Sequence, residues 1–398
     1  MTTLPLQPVA LRQQAVNFQA LPPLSLYIHI PWCVRKCPYC DFNSHEVRDI
    51  FPQQEYVAAL IRDLELSLPQ IWGRKVYTVF IGGGTPSLLS GESIEEILRN
   101  VRMLLPLDVH AEITLEANPG TVEADRFAAY REAGVNRLSL GIQSFSDAHL
   151  QALGRIHSAA EAKRAINIAQ QYFDNINLDL MYALPGQTLE QALQDVRSAL
   201  SFAPQHLSCY HLTLEPNTLF HRSPPSLPDN DAGSDMQQRI EEMLAAHGYQ
   251  HYETSAFAQP KRRARHNLNY WQFGDYLGIG AGAHSKLSFH DKVIRQVRHR
   301  QPQAYMEQMA NGSFTQTEHE VSRDDLAFEF MMNALRLNEG FDSTLFQERT
   351  SLPLPGIRRE LEEAERRELL TRNHLRITPT RMGQRFLNDL LEIFLPGK

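Results

Sequence analysis

Six short apolar segments recur between residues 24 and 216, each stopped by glycine, proline or polar residues and each followed by a helical stretch. They are LSLYIHI (24–30), VYTVFIGGGTP (76–86), EITLEANPG (112–120), RLSLGIQSF (137–145), INLDLMYALPG (176–186) and HLSCYHLTLEP (206–216). Helix-like stretches such as EYVAALIRDLELSL and EADRFAAYREAG lie between them. Strands alternating with helices imply βα units and a parallel sheet. A doubly wound sheet would gather its distinctive residues at one or two switch points. Here nearly every strand end carries some, which is where barrels place their chemistry. The expected fold class is therefore α/β, a partial (β/α)6 barrel of the TIM type.

After residue 216 the rhythm lapses. SPPSLPDNDAGSD (223–235) is turn-rich, and YQHYETSAFA (249–258) precedes a second glycine-rich stretch, YLGIGAGAHS (276–285). From about residue 323 the pattern is helical, with a short LRIT strand and a closing helix, as in a small winged-helix-like module. Its IRRELEEAERREL helix carries too many carboxylates to lie against phosphate. The domain expectation is a flexible tail at 1–22, a barrel core at 23–258, a connecting module at 259–322 and a mostly helical module at 323–398.

Composition narrows the function classes. A net charge of −7 over 398 residues leaves no global footprint for nucleic acid and disfavours attraction to anionic membranes. No apolar run is long enough to span a bilayer. The first residues lack the basic start and compact apolar core of a secretory signal. Three of the four cysteines fall within eight residues, which suits a metal site in a reducing compartment better than a disulfide framework. The expected location is the cytoplasm.

Those three cysteines, Cys33, Cys37 and Cys40, lie in PWCVRKCPYCDFNSH (31–45) with C-x3-C-x2-C spacing, and Phe42 stands where a fourth could follow. A structural zinc site needs four ligands, so His45 or Cys209 would have to join them. An iron–sulfur cubane could instead take three thiolates and keep one iron open to a small molecule. Cys209, isolated in mid-strand, reads as a small core residue.

The cysteine spacing, with Tyr39 before the last cysteine and a strand just ahead, resembles the radical S-adenosylmethionine superfamily. That resemblance implies a [4Fe–4S] cluster on Cys33, Cys37 and Cys40, with S-adenosylmethionine chelating the free iron. GGGTP lacks the GK[ST] of a phosphate loop. The resemblance implies instead that Gly83, Gly84 and Thr85 present backbone to the cofactor's amino group. It also implies S-adenosylmethionine contacts at Tyr27, Tyr39, Glu116, Gln143, Arg155 and Asp179. The chemistry suits them, since carboxylates bind ribose hydroxyls or ammonium and arginine binds carboxylate.

YIHIPWC…CPYCDFNS, IGGGTPS, EANPG, GIQSF and LGRIH together resemble the HemN/HemW family over nearly the whole chain beyond the tail. One branch of that family, the oxygen-independent coproporphyrinogen dehydrogenase, carries C-x3-C-x2-C-x-C. Phe42 at the last position points to the other branch, the haem chaperones. RHNLNYW (265–271) resembles the H-N-x-x-Y-W haem signature of that branch, implying His266 as iron ligand with Asn267, Tyr270 and Trp271 beside it. Imidazole is a common axial ligand for haem iron. The run KRRAR (Lys261, Arg262, Arg263, Arg265) could pair with haem propionates, and too few aromatics interleave it to stack on nucleic-acid bases. Gly278, Gly280 and Gly282 suggest backbone approaching cofactor or haem, and His284 is a second candidate ligand. The implied function is delivery of haem to haem-requiring respiratory proteins, with membrane-protein contact but no membrane anchor. The family resemblance is also compatible with a homodimer. Radical decarboxylation of coproporphyrinogen III is the alternative.

Overall fold

A computed structural model describes residues 16–47, 51–121 and 124–397. Six parallel strands match the six apolar segments: β1 (Leu24–Ile30), β2 (Val76–Gly83), β3 (Leu107–Ala117), β4 (Arg137–Gln143), β5 (Ile176–Tyr182) and β6 (His206–His211). Side chains alternate across a strand, and here the two faces differ in character. On β4, Arg137, Ser139, Gly141 and Gln143 line a central cavity, while Leu138, Leu140 and Ile142 lie in the apolar core beneath the helices. Asn177 and Asp179 on β5, and His206 and Ser208 on β6, repeat the pattern. Cys209 faces the core side, as a small core residue should, and burial pushes its thiol up to about 12. The result is a partial barrel with a polar lumen.

The sheet continues beyond the six strands. β7 (Gln250–Glu253) and β8 (Ala256–Ala258) close one edge as an antiparallel hairpin on β6. At the other edge β9 (Asp275–Ile279) lies parallel to β1, and β10 (His284–Ser288), β11 (Val293–Val297) and β12 (Thr317–Glu320) add antiparallel strands. Residues 259–322 therefore do not stand apart as a connecting module, because four of their strands extend the barrel sheet. The seventh parallel strand is the part of YLGIGAGAHS that its glycines disguise.

Those glycines serve the chain's own packing rather than a cofactor. Gly280 has φ +102°, and a Cβ there would lie 2.4 Å from the His29 carbonyl oxygen. Gly282 has φ +80°, and its Cβ would lie 2.2 Å from Nδ2 of Asn43 in the cysteine loop. Only glycine fits both the backbone and the space. This corrects the reading of close approach to a bound group for Gly278 and Gly280; Gly278 is pressed against the backbone of His284. Gly282 does border the cavity.

The last module holds helices Arg323–Ala334, Ser343–Thr350 and Arg358–Arg366 around a three-stranded antiparallel sheet, in the winged-helix-like manner expected. Phe330 is its hub, edge-on to Phe273, Phe341 and Phe346 at 5.8, 5.1 and 5.2 Å. Residues 1–15 of the expected tail lie outside the described residues. The part that is described does not hang free: Val16 and Phe18 are buried in this second core, and the Phe18 amide donates to the His290 carbonyl at 2.9 Å.

A buried ion pair fastens the β9–β11 edge to the barrel helices. Arg298 Nε donates to Asp63 Oδ1 at 3.0 Å, and Tyr305 Oη to Oδ2 at 2.8 Å, with both charged side chains 0% exposed. Removing one partner strands the other charge. Asp63→Ala should lower unfolding stability by about 3–5 kcal/mol, read from the denaturant midpoint. A loss within about 1 kcal/mol would mean the pair is not holding that edge.

Candidate functional site

The cysteine loop is fixed at both ends before any metal is considered. Trp32 and Cys33 pair in a short parallel ladder with His45 and Glu46. Trp32 packs edge-on against Tyr56 and Phe51 at 4.6 and 5.0 Å. Asn43 Nδ2 donates to the Ala281 and Arg300 carbonyls, both at 2.9 Å, and the Asn43 carbonyl meets His29 Nε2 at 2.9 Å. Lys36 crosses the loop to the Phe42 and Ser44 carbonyls. All three thiols line one cavity. Among the described residues no three His, Cys, Asp or Glu side chains converge on a single metal-ion position. A cubane does not ask for that, because each thiolate binds a different iron. Burial pushes the Cys33 and Cys40 thiols up, a cost that bound metal offsets by stabilising thiolate. The donor set therefore fits a cluster with one iron not bound by protein.

The strand ends surround the loop. Gly84 and Thr85 donate their amides to the Ile30 and Trp32 carbonyls, both at 2.7 Å, so the GGGTP turn buttresses the loop. At Gly83, φ is +117°, and a Cβ would strike the His29 ring at 2.5 Å. The Gly83 amide donates to Glu116 Oε2 at 3.0 Å. Arg155 donates to Asn118 Oδ1 at 2.5 Å, to the Gly141 carbonyl at 2.7 Å and to Cys37 Sγ at 3.8 Å. Asn118, which sequence reasoning passed over, also donates to Thr85 Oγ1 at 3.0 Å. It ties the glycine turn to Arg155. Gln143 ends β4 with φ +66°, just past a register shift that turns it toward the cavity. Asp179 is held by Ser139 Oγ and Asn177 Nδ2 at 2.9 and 2.8 Å. Burial, with Asp179 beside it, pushes the Glu116 carboxyl up to about 8, so at neutral pH it can donate as well as accept.

The helix Arg265–Trp271 passes beneath this lumen and divides its signature. His266 and Asn267 line a cavity of about 420 Å³ that reaches up to the cysteines. Tyr270 lines an adjoining lobe of about 510 Å³ with Tyr27, Tyr276 and His284. Phe42, Phe80, Gly83 and Glu116 border both. His266 Nδ1 lies 3.0 Å from Glu112 Oε1, and the ring packs on Phe80 at 4.2 Å between centroids. Nε2 has no hydrogen-bond partner among the described residues. Despite its burial, the His266 imidazole, the nearby Arg137 charge and backbone amides hold the Glu112 carboxyl down to about 2. Trp271 borders neither lobe; it lies under the Arg336 guanidinium at 5.1 Å, facing the last module. The KRRAR run is also committed elsewhere. Arg263 pairs with both oxygens of Glu339, and Arg265 donates to the His110 carbonyl.

The barrel, the three-cysteine loop and the last module together match known families. The description "Radical SAM superfamily" matches residues 27–199, and "HemN C-terminal domain" matches residues 321–386. Fold and site thus define a radical S-adenosylmethionine protein of the HemN type. The "Heme chaperone HemW" of Escherichia coli is 52% identical over 377 residues, covering 94% of this chain and 99% of that one. The protein of the same description from Bacillus subtilis is 33% identical, covering 93% and 99%. A solved structure, coproporphyrinogen III oxidase (HemN) from Escherichia coli, superposes with TM-score 0.81 at 24% identity over 94% of this chain and 91% of that one; it supports the fold. The chain belongs to the HemW family.

The raised Glu116 pKa has a pH consequence. The native state keeps a proton there that the unfolded chain gives up above its ordinary value of 4.5. Stability is therefore lost as pH rises from about 4.5 toward about 8. Glu116→Gln mimics the neutral form and removes that loss. Thermal unfolding of the variant relative to the native chain should improve steadily across that window; a constant difference would place the carboxyl's titration elsewhere.

Proposed function

We propose that the protein is a haem chaperone. Cys33, Cys37 and Cys40 hold a [4Fe–4S] cluster, S-adenosylmethionine occupies its fourth iron, and haem binds through His266 for delivery to haem-requiring respiratory proteins. When bound, the cluster and S-adenosylmethionine together supply one-electron chemistry on the sulfonium. The chain's own residues do the holding. Tyr39, Gly83, Gly84, Thr85, Gln143, Arg155 and Asp179 border the space next to the cysteines, and Glu116 offers a neutral carboxyl at its centre. Tyr27 approaches from the adjoining lobe.

The observation that carries the reading is a single lumen with the thiols at its mouth and an imidazole at its floor. With Glu112 taking Nδ1, Nε2 is the nitrogen left for iron. Phe42, 61% exposed at the rim, stands where the decarboxylating branch has a fourth cysteine. Several finer points belong to the same proposal. The protein acts in the cytoplasm, meets membrane-bound acceptors without an anchor of its own, and can pair with a second copy. Among the described residues no helix is long and apolar enough to cross a membrane.

Titration of the native protein with haem should give a saturable Soret change, and His266→Ala should weaken it by about tenfold or more, the scale expected for losing a metal ligand's contribution. Equal titrations would remove His266 as the ligand. Given coproporphyrinogen III, S-adenosylmethionine and a reductant under anaerobic conditions, the cluster-loaded protein should release no carbon dioxide. Clear turnover would establish the decarboxylase instead.

A further inference from the structure

The lumen contains a buried guanidinium with no direct hydrogen-bond partner among the described residues, although its charge acts on Glu112, Glu116 and Asp179. Arg137 opens β4 and is 2% exposed, yet among the described residues its side chain takes part in no direct hydrogen bond or ion pair, and its Nε is buried without an acceptor. Buried polar groups are nearly always paired, and an unpaired buried cation is costly. The neighbouring carboxylates are already engaged. Glu112 accepts from His266 and two backbone amides, Glu116 from the Gly83 amide, and Asp179 from Ser139 and Asn177. Arg137 borders the same cavity as His266.

We infer that Arg137 is the receptor for a haem propionate, gripping one carboxylate at the barrel floor while His266 binds the iron. This rests on the haem reading of the site. A carboxylate accepts two parallel N–H bonds from an arginine fork, which would satisfy the guanidinium that the protein leaves open. The basic run at 261–265 cannot do this work as a unit, since Arg263 and Arg265 are tied to Glu339 and the His110 carbonyl. The carboxylate of S-adenosylmethionine is a second source of the same chemistry. Arg137 opens β4 and Gln143 ends it at the mouth, yet the Arg137 charge reaches Glu116 and Asp179, so S-adenosylmethionine binding has to be measured alongside haem binding.

The test compares haem with its dimethyl ester, which keeps the iron and ring but lacks propionate charge. The native protein should bind haem at least about tenfold more tightly than the ester, the scale of a charge-assisted hydrogen bond. In Arg137→Gln, haem affinity should fall to that of the ester, ester affinity should stay put, and the Soret position should not move. S-adenosylmethionine binding, measured by anaerobic equilibrium dialysis, should be unchanged. Should Arg137→Gln fail to fold, Arg137→Lys keeps the charge but loses the fork and serves in the same comparison. Unaltered haem affinity, equal loss of haem and ester, or loss of S-adenosylmethionine binding with haem retained would each overturn the inference. The underlying haem reading fails by a different result, no saturable Soret change when haem is added to the native protein. A Soret titration indifferent to His266→Ala would remove only His266 as the iron ligand, and with the ester pattern intact Arg137 would still stand as the propionate receptor.

Discussion

Three thiolates drawn from eight residues can share one cluster only if the backbone between them is held in shape. Here the loop is held from below by its own ladder and from the side by the β9–β10 turn. The contact of Gly282 with Asn43 is the tightest point, and it decides much else. A side chain at 282 would displace the Asn43 amide and release its bonds to the Ala281 and Arg300 carbonyls. The GGGTP turn packs on the His29 ring, whose Nε2 meets the Asn43 backbone carbonyl. The cysteine loop therefore rests on contacts with a segment 238 positions further along the chain.

The lumen below obeys a separate constraint, the cost of enclosing charge. Glu112 and Glu116 on β3, Arg137 on β4 and Asp179 on β5 lie on three neighbouring strands, and they meet the cost of burial in different ways. Glu112 remains ionised because an imidazole, the Arg137 charge and backbone amides act on it. Burial and Asp179 make protonation easier at Glu116. Among the described residues the Arg137 side chain makes no direct hydrogen bond, and its Nε is buried without an acceptor. A cavity of this kind is suited to a ligand that brings anionic groups and a metal together, which neither an apolar pocket nor a uniformly basic one would hold selectively.

The strands and their polar ends were legible because alternation and terminal glycines are local signals. LSLYIHI, RLSLGIQ and INLDLMY begin and end as strands where the pattern says they should. The three cysteines were legible as a candidate metal site from their spacing, and the superfamily resemblance made them candidate cluster ligands. The seventh parallel strand was not, since glycines that fit around His29 and Asn43 look like a loop when those neighbours are unknown. The HNxxYW run reads as one motif, yet a helix sends neighbouring side chains in different directions, so Trp271 faces Arg336 rather than haem space. Glu112 and Arg137 were missed although a signal existed: each shares a two-residue period with Glu116 or Gln143, which places it on the cavity face of its strand. Partnership, by contrast, leaves no trace in sequence. The pairing of Arg263 with Glu339 spans 76 positions.

All of the proposed chemistry depends on one iron left free by the protein. Mössbauer and low-temperature EPR spectroscopy of anaerobically purified protein, with and without S-adenosylmethionine, address it directly. A cubane with three protein ligands predicts four irons per chain, one of them spectroscopically distinct and altered when S-adenosylmethionine is added. Zinc in place of iron, or a cluster whose spectrum ignores S-adenosylmethionine, would contradict it.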